Sequence, residues 1–319
     1  MGLKITVLAR LLSLGCVSAL LLGGTAALAQ SDHWQQRIQQ GQKALAQGQY
    51  TQALNALDQA IAQNPNASEA YLKRAEVYAQ MGNHSAALQN FNAATTLNPR
   101  DASAWLQRYG YFMKKNMPAQ AEYDLTEGLR LMPYHPELNY AYALHLFNKG
   151  DKTHALSTLR TLQQVQPMPT ATQAVAPVFI RGSALRAQLY AEARAFEPYG
   201  QELNFLIATQ PRAAKLYWNR ALWHKNYARD LASAKTDLNS YLYLQPKDGR
   251  AYALRAEINL VGNLCKDALA DLKMACKLGE QAACYKKAPC KLPVATPAPG
   301  AAPGSSAGTA ANPAGGAQS

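Results

Sequence analysis

"SEAYLKRAEVYAQMGNHSAALQNFNAATTLNPRD", residues 68–101, carries one copy of the pattern that decides how the chain is built. An aromatic, Tyr71, is followed four residues on by the small Ala75. Gly82 comes next, then Ala87, the bulky Phe91 and Pro99. The order fits two helices joined by a tight turn. Glycine suits the end of a helix, and alanines let two helices cross closely while bulky neighbours fill the adjoining pocket.

The order recurs without slippage. Pro65, Pro99, Pro133 and Pro167 are 34 residues apart. Ala53, Ala87, Ala121 and Ala155 each lie twelve residues before one of these prolines, and Leu57, Phe91, Leu125 and Leu159 eight before. Gly48 and Gly150 answer Gly82; Trp105 answers Tyr71, and Ala143 answers Ala75. The pattern resembles the tetratricopeptide repeat, a unit of two antiparallel helices with this period. The resemblance covers about 34–288. It implies an all-α fold, a right-handed superhelical solenoid of about seven helix-turn-helix repeats. A composition led by Ala, Leu and Gln agrees with helix.

Four regular units run at 34–67, 68–101, 102–135 and 136–169, so residues 30–169 form a first block. "MPTATQAVAPVF" (168–179) has no helical stripe and reads as a connecting loop. A second block, 170–291, holds degenerate units at about 180–213, 214–248 and 249–282, followed by a cap helix. The unit at 214–248 has one residue more between its helices.

Both ends read differently. Residues 1–29 have a basic start (Lys4, Arg10), a short apolar run and "ALA" at 27–29, the pattern of a secretory signal cleaved after Ala29. Lipidation at Cys16 is the alternative, against which Ser13 fits poorly three residues upstream. No later stretch approaches the roughly 20 apolar residues of a bilayer span. Residues 292–319 contain neither an aromatic residue nor a charge, and are expected to be a disordered Ala/Pro/Gly tail. The expected location is the periplasm or outside the cell.

In an oxidising compartment Cys265, Cys276, Cys284 and Cys290 are expected to form disulfides, and four cysteines allow three pairings. Cys265 and Cys276 fall on one helix eleven residues apart, about 16 Å at 1.5 Å per residue, where a bridge needs about 7 Å. Cys276 and Cys284 lie four residues either side of Glu280, where a turn is expected, and should face each other. The same seven-residue gap occurs in cysteine-rich exported repeat proteins, and this resemblance supports Cys276–Cys284, leaving Cys265–Cys290. The crossed pairing, Cys265–Cys284 with Cys276–Cys290, remains and would shift one helix by most of that same distance. Either way the thiols staple a terminal helix too short to hold by packing alone.

Arginines precede the small crossing residue at Arg74, Arg108, Arg186, Arg220 and Arg255. Asp124, Asp237 and Asp271 follow three of them by about sixteen residues, so Arg108–Asp124, Arg220–Asp237 and Arg255–Asp271 are expected as structural ion pairs. In members of the resembled family the first helix of each unit lines a concave groove. The residue after the aromatic position points into it: here Ile38, Leu72, Leu106, Tyr140, Trp218 and Ala253. One turn on come Gln42, Glu76, Gly110, Leu144, Leu222 and Glu257. Tyr140, Leu144, Phe147, Trp218 and Leu222 are the expected anchors for a protein or peptide segment. The alternative is that several of them pack between neighbouring units.

The net charge of +12 is uneven: 12 basic and 10 acidic side chains over 30–169, against 18 and 10 over 170–291. The excess on the second block would suit an acidic protein or an anionic envelope polymer, and export argues against nucleic acid. The sequence carries no phosphate loop, paired-histidine metal motif or nucleophile elbow. His145 and His154 can approach across a hairpin, with no acidic or thiol ligand expected beside them. No metal, cofactor or catalytic residue is expected. The function this implies is a non-catalytic exported scaffold. An accessory subunit of an envelope or polysaccharide secretion machine is the alternative, followed by a peptidoglycan-active or β-lactam-binding cysteine-rich repeat protein.

Overall fold

The computed structural model describes residues 33–165 and 175–286. The expected signal with Cys16, most of the loop at 168–179, Cys290 and the tail at 292–319 lie outside them. The described residues are helical throughout, with no strand among them.

The first compact unit ends at Pro211. It contains α1 (33–46), α2 (Tyr50–Gln63), α3 (Ser68–Gln80), α4 (His84–Leu97), α5 (Ala102–Lys114) and α6 (Pro118–Leu131). α7 (Pro136–Asn148), α8 (Lys152–Gln164), α9 (Pro177–Glu192) and α10 (Phe196–Thr209) complete it. Consecutive helices pair as hairpins, and the first helices of successive hairpins also touch: α3 on α5, α5 on α7, α7 on α9.

Local chemistry sets the hairpin ends. Gly82, at φ +77°, is left-handed, a backbone that costs an L-residue about 1–2 kcal/mol, and so reverses the chain after α3. The equivalent left-handed residue is Asn116 after α5 and Arg194 after α9. Asn83, Asp101 and Asp151 then cap α4, α5 and α8 by accepting backbone N–H bonds. The left-handed residues at 48, 82, 116 and 150 keep the 34-residue period, and the next is at 194. Ten residues are therefore added before the fifth hairpin, in the region of the expected loop.

The core follows the same register. Ala53, Ala87, Ala121 and Ala155 have no exposure at the helix crossings, and Leu57, Leu125 and Leu159 are equally buried. Each such leucine contributes about 1.5–3 kcal/mol. At Gly182 of α9 a Cβ would stand 2.5 Å from Leu162 Cδ2, so any larger residue at this crossing with α8 would have to displace the end of that leucine.

The second unit begins at Arg212. The fifth hairpin therefore belongs to the first compact unit, although the change of regularity in sequence falls earlier, at 169/170. In the second unit α11 (Ala214–Trp223) runs into a π turn (His224–Ala228), then come α12 (Leu231–Leu244), α13 (Gly249–Val261), α14 (Cys265–Lys277) and α15 (Gln281–Tyr285). The additional residue of unit 214–248 is taken up in that π turn, which ends on left-handed Arg229, φ +56°. A single inserted residue is what a π turn accommodates.

α15 is the cap. Ala283 is buried against Ala256, Leu272 and Ala275. Cys276 and Cys284 are bonded, their Cα atoms 4.8 Å apart, across the turn at Gly279. Cys265 is also disulfide-bonded; its expected partner, Cys290, lies outside the described residues.

Candidate functional site

The arginines form the most regular polar feature. Arg108 binds Asp124 through Nε and Nη2, the latter at 2.7 Å, and its Nη1 reaches back to Asn92 Oδ1 at 2.7 Å on the preceding hairpin. Arg255 repeats this with Asp271 at 2.6 Å and Asn239 at 2.7 Å. Arg74 uses Asp58 and Asn90. Each of these guanidiniums therefore joins residues sixteen before and sixteen after it. Arg220 meets Asp237 at 2.7 Å, seventeen residues on, because the π turn adds one. Arg74, Arg108 and Arg255 also lie over the rings of Tyr71, Trp105 and Tyr252, 5.1–5.4 Å from the centroids.

In the fifth hairpin Arg186 is fully buried and binds Glu202 at 2.6 Å, with Ser183 donating to the same carboxylate. This pair escaped the sequence reading because glutamate replaces aspartate at the sixteenth position. The backward partners escaped it too, although the interval before each arginine carries the signal. Burial pushes the Asp124 carboxyl up, and Arg108 acts against it. The ladder holds helices together and leaves no guanidinium fork turned outward for an anion.

The histidines do not converge. His145 lies edge-on to Tyr109 and 3.6 Å from Glu122, whereas His154 bonds Asp151 at the start of its own helix. The hydrogen bond from Lys149 holds Glu122 below the usual carboxylate range. No cluster that could hold a metal occurs among the described residues.

The expected anchors are all half-buried. Tyr140, Leu144 and Phe147 of α7 pack against a cluster containing Leu159, Val178 and Phe179. Arg181 covers the Tyr140 ring at 4.9 Å while pairing with Glu137. In the second unit Trp218 tilts against Tyr241, with centroids 5.3 Å apart, and Leu222 keeps partial exposure. Ile38 and Leu72, expected to face the groove, are instead core residues only 2% exposed.

Between α3 and α5 the first-helix face opens into a cleft of about 500 Å³. Phe91 and Tyr111 line it, their ring centroids 5.4 Å apart, with Gly110 and Gln107 on the α5 side. Burial pushes the Tyr111 phenol up. Lys114 and Lys115 stand at its edge together with Glu76, which is held by Lys73 at 2.9 Å. Two of these residues, Glu76 and Gly110, are groove positions of the sequence reading. The cleft itself depends on what faces them, which a linear pattern does not state.

Charge in the second unit is consumed selectively. Asp237, Asp248, Glu257, Asp267 and Asp271 all face cations. Glu257 takes both Lys225 and Lys286; burial raises its pKa, and the two ammonium groups more than offset that, leaving it lowered. Lys266, Lys273 and Lys277 are exposed on one face of α14, with no ion pair among the described residues.

The family model for the tetratricopeptide repeat matches residues 38–102. A tetratricopeptide repeat and J domain-containing co-chaperone of Cryptococcus neoformans is 36% identical over 95 residues, covering 30% of this chain and 18% of the relative. The human DnaJ homolog subfamily C member 3 is 29% identical over 146 residues, covering 41% and 29%. The chain thus spans less than a third of the length of these curated relatives. Among solved structures, that of Pseudomonas aeruginosa pilF aligns with 68% of this chain and 94% of its own, at 17% identity and a TM-score of 0.48. The matched segment contains the hairpin of residues 68–101, whose period and left-handed turns recur through the first four hairpins. Over residues 38–102 the chain is thus similar to the tetratricopeptide repeat, and the later hairpins continue the same pairing of helices.

Proposed function

We propose that the chain is a non-catalytic, exported scaffold that holds a segment of another protein along the first-helix face of its repeats. The observation that carries this reading is the cleft between α3 and α5, an aromatic-floored opening on that face. The half-buried Tyr140, Leu144 and Phe147 on α7 extend the same kind of surface, with Trp218 and Leu222 its counterparts on α11. Aromatic residues that offer area at low entropic cost are the usual anchors of such contacts. The co-chaperone name of the Cryptococcus neoformans relative supports the handling of protein segments. The basic apolar start of the sequence supports export to the periplasm or beyond.

The test is capture from envelope extract followed by mass spectrometry, with the parent chain and with Tyr140→Ala plus Trp218→Ala. Loss of the captured protein with an unchanged helical signal is expected. Equal capture by both removes the anchors from the reading. A second reading, an accessory subunit that meets an acidic protein or anionic envelope polymer, is favoured by the exposed Lys266, Lys273 and Lys277, which have no ion pair among the described residues. It requires affinity to fall steeply with salt. A labelled β-lactam that attached covalently would move the function to the third, enzymatic class.

A further inference from the structure

The cleft between α3 and α5 has a defined chemistry. At Gly110 a Cβ would meet nothing within 4 Å, so a side chain's worth of space is left open beside the Phe91 and Tyr111 rings. The side-chain oxygen Oε1 of Gln107 is buried and has no hydrogen-bond partner. In either orientation of its carboxamide, glutamine offers one donor group and one acceptor, and a peptide group supplies the complement of both. At the edge, Lys114 has no ion-pair partner among the described residues, and Lys115 meets only His84 Nε2 at 2.9 Å. Glu76, a carboxylate in the lining, is already held by Lys73. The volume of about 500 Å³ falls within the range of about 300–1,000 Å³ typical of ligand pockets.

We propose that this cleft takes an extended peptide segment of a partner protein, with one aromatic or large aliphatic side chain flanked by acidic residues. The apolar side chain lies over Phe91 and Tyr111 in the space left by Gly110. The adjacent peptide group bonds Gln107, and the flanking carboxylates meet Lys114 and Lys115. The inference rests on the groove reading above and names the chemistry of its occupant.

Fluorescence anisotropy on the full chain tests it, using labelled hexapeptides with the cores Asp-Phe-Asp, Asp-Ala-Asp and Lys-Phe-Lys. The first is expected to bind at least about tenfold more tightly than either other, as loss of an anchor or of charge complementarity requires. Gly110→Leu should abolish that binding while the melting temperature holds or rises, because leucine is a better helix former and its Cβ meets no neighbour. Lys114→Glu with Lys115→Glu should transfer the preference to the lysine-flanked peptide. The proposal is overturned if no peptide binds, if Gly110→Leu binds as the parent does, or if flanking charge makes no difference. Partner capture lost in the Tyr140 and Trp218 variant but intact in Gly110→Leu would overturn this inference alone and leave the scaffold reading in place.

Discussion

Arg186 and Glu202 show how much depends on single side chains. Their exposures are 0% and 3%, so neither charge has water to fall back on. A buried pair of this kind adds little beyond apolar packing, yet removing one partner strands the other. Glu202→Ala is expected to lower stability by about 3–5 kcal/mol, read from the urea midpoint, whereas Arg186→Met with Glu202→Leu should recover most of it. The exposed pair Arg130–Glu127 should give no more than about 1 kcal/mol in the same assay. At this scale the sequence revealed the arginines and three of their aspartates through spacing. It hid Glu202 behind a change of residue type, and hid Gln107 because an unpaired amide is defined by what surrounds it.

Helices and turns were the most legible level. The prolines, crossing alanines and turn glycines place each hairpin of the first block, because close helix packing accepts few residue types at those points. Even the π turn after α11 was announced by a surplus residue, though its form was not. The cleft was not legible, since Gly110 inside a helix reads only as a weak helix former. Cap helix α15 has five residues and holds through Ala283 and the Cys276–Cys284 bond. Reduction should remove about 2.5 kcal/mol for the inner loop. Hydrogen exchange at 281–285 would then accelerate first, ahead of α13 and α14. Uniform protection after complete reduction would show that packing alone seats the cap.

Across the molecule, acid should be the effective denaturant. Glu122, Asp151, Asp248 and Glu257 are held below their ordinary values by hydrogen bonds and neighbouring cations. A carboxylate depressed in the folded chain contributes stability that is complete above its unfolded pKa, about 4, and lost as pH falls through the folded value. Asp124, pushed up by burial, works in the other direction. The melting temperature is therefore expected to stay flat from pH 7 to about 5 and to fall below about 4. A decline beginning near pH 6 would point to the histidines instead. The arginine ladder has a further consequence, for how such a chain can change length. Because Arg108 reaches sixteen residues in both directions, excising residues 68–101 would bring Asp58 to the place of Asn92, giving Arg108 an acceptor on each side. Whole repeats can thus be lost without stranding a buried cation, so a deletion of 34 residues should leave a folded protein with the same helical signal per residue. A deletion of 30 should not, and genes of this kind would be free to grow and shrink only in whole units.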